Sequence, residues 1–446
     1  MRNTLVSVSG RFASGACLLA GLLALAEPVA AQGELRVRLE GEAGVRDESD
    51  YGEEQDVLLR RDEARGYGGL NLDLSYALER LNLALNYSPS YERSLESSDI
   101  SGTTHRLDFG LVGDLSRRSR LSIREQLLSI PDVDPYEPVA AAVTTVATRR
   151  GDQLVHNFDI SLDNAVSRRT SVSLGLNHSL RRFEVEDFVD SQTLGARIGA
   201  AWELVRGRRI EALAGTSMFD YGDRGESDVL TFGLAYATEL GRDSLLRLEA
   251  GAYSVESRRP TFLFPPPVPG VPPEPEPVPE AGEVREEDEG WRGSLQFSQR
   301  RQLFRWGFGL SHDISAGAGL GRAVEADNAF VDISWPLGRQ WEIGLDGNAS
   351  RQADVSDSLV LEGETMDELT EFAAGTARVS WTFTPAFRLS GGYSRVWQSS
   401  RVENFSDLSY SRYFLSLAFR IFSTGETPRE PDSLGRPIDD DESDPQ

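Results

Sequence analysis

The side chains that could do chemistry are few in kind and widely spread. The chain has four histidines, His105, His156, His178 and His312. None stands at a spacing typical of metal ligands, so no metal site is expected. Ser311-His312-Asp313 holds the residue types of a nucleophile, a base and its orienter. Neighbours in an extended strand point to opposite faces, so these three cannot converge without a partner from another strand. No glycine-rich phosphate loop, paired cysteine ligands or calcium loop occurs. No catalytic residue and no cofactor is therefore assigned.

What remains is a set of arginines and carboxylates at alternate positions in apolar stretches. The candidates are Arg106, Asp108, Arg124, Asp159, Arg181, Arg197, Arg247, Arg292, Arg305, Asp332, Arg388 and Arg412. Asp163, Glu249, Asp313, Asp346 and Arg420 fall on the same polar faces. Their signs nearly balance. If those faces line a water-filled space, these residues are the expected functional set. The alternative is that they pair with one another and brace a wall.

The elements that must carry them read as β-strands. Residues 70–87, LNLDLSYALERLNLALNY, are the template. Leu70, Leu72, Leu74, Tyr76 and Leu78 alternate with Asn71, Asp73 and Ser75. After a turn at Glu79-Arg80, Leu81, Leu83, Leu85 and Tyr87 alternate with Asn82, Ala84 and Asn86. Period-2 alternation on both arms predicts a β-hairpin with one apolar and one polar face. A lone hairpin is marginal in water. The chain supplies further pairs at 106–126, 154–180, 194–218, 230–255, 291–314, 329–349 and 373–396. A first strand precedes them at 35–45 and a last follows at 413–421. The count is eighteen strands, or sixteen, since boundaries read from sequence shift by several residues.

Connections alternate in length. Within hairpins they are short, as in Ser116-Arg117-Arg118-Ser119 and Ser167-Arg168-Arg169-Thr170. Between hairpins they are longer: 47–65, 92–104, 130–152, 184–192, 221–228, 257–290, 315–327, 352–371 and 399–409. The longest, 257–290, contains TFLFPPPVPGVPPEPEPVPE and reads as polyproline II or disorder. Residues 423–446 read as a disordered acidic tail.

Composition narrows the class. Of 446 residues, 71 are acidic and 46 basic, for a formal net charge of −25. That balance disfavours nucleic acid as a partner, because phosphate binding needs a basic surface. Residues 1–31 read as a signal peptide, with Arg2 and Arg11 before an apolar core at 16–26 and Val29-Ala30-Ala31 at the cleavage site. The single cysteine, Cys17, lies in it, so no disulfide is expected after residue 31. No apolar run long enough for a membrane helix follows the leader. A membrane barrel remains open, because its signal is weak per segment.

Aromatics place the apolar face. Trp202, Tyr236, Trp335, Trp341, Trp381 and Phe387 sit beside the short turns, with Tyr76 and Phe383. Tyr87, Trp291, Tyr393 and Tyr413 sit near the long connections. Two belts of amphipathic rings are expected where a wall meets two headgroup layers. The apolar face should then meet lipid and the charged face water.

The leader, the amphipathic strands, the alternation of short turns and long loops, and the closing strand YFLSLAFRIF at 413–422 resemble a Gram-negative outer-membrane β-barrel. The resemblance covers residues 32–422, all but the leader and the tail. Segments such as NLALNYSPSYERS are similar to porin-type barrels associated with exopolysaccharide systems. It implies an all-β, transmembrane up-and-down barrel in the outer membrane, with outer-membrane lipid and the barrel-assembly machinery as partners. Family barrels end on a terminal aromatic; here Phe422 is that residue, but the acidic tail follows it. The expected function is a channel for small polar solutes. An exopolysaccharide conduit and a structural or adhesive barrel are the alternatives. Nothing in the sequence marks a subunit interface.

Overall fold

The computed structural model describes residues 34–54, 57–96, 101–130, 153–183, 189–241, 243–262, 279–301, 304–316, 323–354, 369–400 and 408–423. The leader, the acidic tail from 424 and the proline-rich stretch 263–278 lie outside them.

Eighteen strands follow in chain order. They are β1 (Glu34–Glu54), β2 (Val57–Ala77), β3 (Leu81–Ser94), β4 (Ser101–Asp114), β5 (Ser119–Ile130) and β6 (Gln153–Ala165). Next come β7 (Thr170–Phe183), β8 (Ser191–Val205), β9 (Arg208–Asp220), β10 (Glu226–Glu239), β11 (Ser244–Phe262) and β12 (Pro279–Arg301). Last are β13 (Phe304–Ser315), β14 (Val324–Leu337), β15 (Trp341–Asp354), β16 (Leu369–Thr384), β17 (Phe387–Ser400) and β18 (Leu408–Ser423). Each pairs antiparallel with the next, and β18 pairs with β1, which closes the sheet into a barrel. Closure removes every unpaired edge. Each alternating stretch identified in the sequence falls on its own strand, with Leu78 of the template lying just past the end of β2.

Register keeps the two faces separate all the way round. Leu72 stands opposite Tyr87, Leu111 opposite Ile123, Ile160 opposite Leu176 and Leu230 opposite Ser254. The seam joins Val45 to Leu415 and Ala43 to Leu417, so the apolar face meets itself. The concave side is identified by connections that pack on it. Val189, before β8, and Ala316 and Ala323, between β13 and β14, pack with Phe219, Val229, Tyr253 and Val255 of β9–β11. These neighbouring connections fold over one face of the sheet at its rim. Those four residues lie on the face opposite the leucine-rich one, so the leucine-rich face is the outer wall. Leu234 is 62% exposed there and Trp202 63%.

Local chemistry explains the tight turns. Ser116 Oγ accepts hydrogen bonds from the backbone N–H of Arg118 (3.1 Å) and Ser119 (3.0 Å), and Ser167 does the same for Arg169 (3.2 Å) and Thr170 (3.0 Å). Such hydroxyl turns reverse the chain in four residues. Gly207 and Gly338 turn with φ of 77° and 75°, a region costly for any residue with a Cβ.

The strands run further than alternation predicts. Residues 47–65, expected as a loop, pair out to Glu54 opposite Val57. The expected loop 257–290 is strand through Phe262 and again from Pro279, with a register break between Pro260 and Phe262. Ser423 also belongs to β18 and not to the tail. The cause is physical. Backbone pairing needs no apolar period, so the ladder continues past the point where the alternation that reveals it stops.

Candidate functional site

The inner wall is built by every second residue of each strand, held in place by ladder hydrogen bonds. All twelve candidate charges fall on this face: Arg106, Asp108, Arg124, Asp159, Arg181, Arg197, Arg247, Arg292, Arg305, Asp332, Arg388 and Arg412. The structure brings only some of them together. Arg106 Nε donates to Asp108 (2.8 Å), which also accepts from Gln126 (2.9 Å). Arg124 stands opposite Asp159. Arg181 faces Val155 and Ser191, and Asp332 faces Asp346. Arg197 lies over Gly175, where a Cβ would collide with its side chain. Arg305 is opposite Ser334, Arg388 opposite Ala418, and Arg412 opposite Ser394.

The main assembly is a ladder of alternating charge across β9 to β13. Arg209 reaches Glu211 at 3.4 Å, and Arg247 reaches the same carboxylate at 3.4 Å. Arg247 also lies 3.6 Å from Glu249. Arg292 then joins Glu249 (3.1 Å) to Asp313 (3.0 Å). Ala235 of β10 sits between Glu211 and Glu249 in the register, and its small side chain lets the guanidinium cross. Arg209 and Glu211 were not candidates from sequence. Their period-2 position gave the only hint, and nothing local marks them as partners of Arg247.

A second feature was not expected. The inner wall is not polar throughout. Phe219, Val229, Tyr253 and Val255 form a buried apolar patch near the long-connection rim, covered by Val189, Ala316 and Ala323. Tyr253 Oη donates to the Glu325 carboxylate. It gets there by lying against Gly290, where any Cβ would fall inside its ring. The cross-section is therefore narrowed on that side by packed chain.

The trio Ser311-His312-Asp313 is split. Ser311 and Asp313 face inward, while His312 faces outward, stacks on Trp291 with ring centroids 4.1 Å apart and bonds Asp327 at 2.7 Å. His156 bonds Glu125 at 3.2 Å beside His178, also on the outer wall. Tyr87 bonds His105 at 3.0 Å. Among the described residues no three metal-ligating side chains form a cation site.

Of the aromatic belt, Trp202, Tyr236, Trp335, Trp341, Trp381 and Phe387 all lie on the outer wall next to the short turns. Trp341 stacks on Trp381 at 5.4 Å, and Phe383 on Phe387 at 5.7 Å.

A closed, even-stranded antiparallel barrel with a lipid-like outer wall, a charged inner wall, short turns at one rim and long connections at the other is a Gram-negative outer-membrane barrel, porin-like in strand number. No protein-family model and no curated protein matches the chain. Solved structures do resemble it. One is OccAB4 of Acinetobacter baumannii, at 10% identity, covering 86% of this chain and 98% of that one, with a TM-score of 0.39. Another is OccK2 (OpdF) of Pseudomonas aeruginosa in complex with glucuronate, at 12% identity, the same coverages and a TM-score of 0.40. A third is OpdK of Pseudomonas aeruginosa with vanillate, at 12% identity, again with coverages of 86% and 98%, and a TM-score of 0.39. Similarity at this level says nothing of cargo.

Proposed function

We propose that the barrel is a passive channel that carries small polar solutes across the outer membrane. The observation that carries this reading is the inner-wall ladder from Arg209 to Asp313. Six charges of alternating sign keep a face hydrated without making it strongly selective for either sign, whereas a ring of one sign would select against it. Barrels of about 16–18 strands leave an aqueous lumen. Outer-membrane lipid is the solvent for the outer wall, and the barrel-assembly machinery is the partner that inserts it.

Reconstitution in planar bilayers tests the reading. Stepwise ohmic conductance with weak ion selectivity is the expected result. Silent insertion, with the barrel shown to be folded, would rule the channel out. Block by polysaccharide but not by small sugars would instead favour the exopolysaccharide conduit.

A further inference from the structure

The outer wall carries a broad, open concavity of about 660 Å³ that lies mostly on β12 to β17, with Glu249 of β11 also at its edge. Its floor is made small by sequence: Ala329, Ala349 and Ala373 are successive cross-strand neighbours, where most of this wall carries leucine or larger. Exposed Trp291 and Trp397 close its two ends. The trough crosses five strand gaps, roughly 24 Å at ordinary strand spacing.

One register step nearer the long-connection rim stands a polar row: His312, Asp327, Arg351 and Glu371, each opposite the next. These belong to the outer wall, as do the cluster of Glu226, Glu256, Arg258 and Arg285 on β10 to β12 and the His156–Glu125 pair. Among the described residues, neither Arg351 nor Glu371 is held in an ion pair. His312 gives one nitrogen to Asp327, and its Nε2 is buried without a hydrogen-bond partner.

We propose that this trough binds a glycolipid of the outer leaflet, with the sugar head against the polar row and an acyl chain along the alanine floor. Three observations select that occupant. The apolar floor and the polar row lie side by side across the strands, the polar row on the side of the long-connection rim, which calls for an amphiphile. The polar row holds two carboxylates, a guanidinium and an imidazole; that mixture suits the donor and acceptor hydroxyls of a sugar better than a phosphate alone. The indoles at the ends offer flat apolar faces of the kind that cover a sugar's C–H surface. A second barrel would bring a convex wall and touch only the rim of the trough.

Native mass spectrometry of the full barrel in an amine-oxide detergent tests the proposal. The probes are a monoglucosyl diacylglycerol and a phosphatidylethanolamine with identical acyl chains. The wild-type barrel should retain the glucosyl lipid about 10-fold more tightly, the difference expected for one or two well-placed anchors. Arg351→Ala and Glu371→Gln should remove that preference and leave phosphatidylethanolamine retention unchanged. Ala349→Phe, which fills the floor, should abolish retention of both. Heat-modifiable gel mobility confirms that each variant is folded, and Ala349→Phe serves where a polar-row variant is not. Equal retention of the two lipids by the wild type would overturn the proposal. So would a sugar preference that survives in the variants.

Discussion

Arg292, like Arg247, bridges two carboxylates of the inner wall. It joins Glu249 of β11 to Asp313 of β13 across its own strand. Glu249 is only 12% exposed, so it has little water to fall back on. Arg292→Ala should therefore cost about 1–3 kcal/mol, because Glu249 keeps only its longer contact to Arg247 at 3.6 Å. The midpoint of urea unfolding from lipid vesicles measures it. Arg339→Ala, in an exposed turn, should change that midpoint by no more than about 0.5 kcal/mol. The same deletion removes a positive charge from the lumen. The zero-current potential in a salt gradient should shift toward cation preference, and no shift would mean that solutes do not pass this ladder. Tyr253 makes a second residue-scale case. Gly290→Ala would push its ring off Glu325 and open the apolar patch, because a Cβ has no room there.

Hairpins are the repeating element, and the stress on each falls at known points. Gly338 turns β14 into β15 with φ of 75°. Gly338→Ala should cost about 1 kcal/mol through the left-handed conformation it must adopt. Refolding into vesicles, followed by urea titration, measures that cost; an unchanged midpoint would show that the turn relaxes freely. The strand faces are a sharper matter. Leu234 lies mid-strand on the outer wall, 62% exposed to what must be lipid. Leu234→Arg should destabilise by about 2–4 kcal/mol, whereas Gln296→Arg, on the inner face, should do far less. Comparable losses at the two sites would contradict the assignment of faces. Hairpin identity was readable from residues such as Leu72 and Asp73 because one face meets lipid and the other water. Strand length was not. Residues 47–54 and 57–65 pair fully, yet show no apolar period, because backbone pairing needs none.

At the scale of the whole molecule, the seam between β1 and β18 turns a sheet into a wall with an inside. Only closure decides which face sees water. Cysteine placed at Leu72 should resist a membrane-impermeant maleimide in intact outer membranes, and cysteine at Asp73 should react. A reactive Leu72 site beside a protected Asp73 site would invert the barrel. Closure also sets Val189 and Ala323 against the apolar cluster that holds Tyr253, which narrows one side of the lumen.

The amino-acid sequence by itself determined the two faces and put all twelve candidate charges on one of them. It could do so because period 2 is local and lipid enforces it residue by residue. It left the strand count between sixteen and eighteen, which closure of the sheet decided. Tertiary structure decided which of those charges meet. Glu211, Arg247, Glu249, Arg292 and Asp313 span about a hundred positions, and their contacts depend on the stagger between strands, which no local pattern encodes. The same holds for His312. Its sequence neighbours are serine and aspartate, but its partners are Trp291 and Asp327, because pleating sends adjacent side chains to opposite sides of the wall.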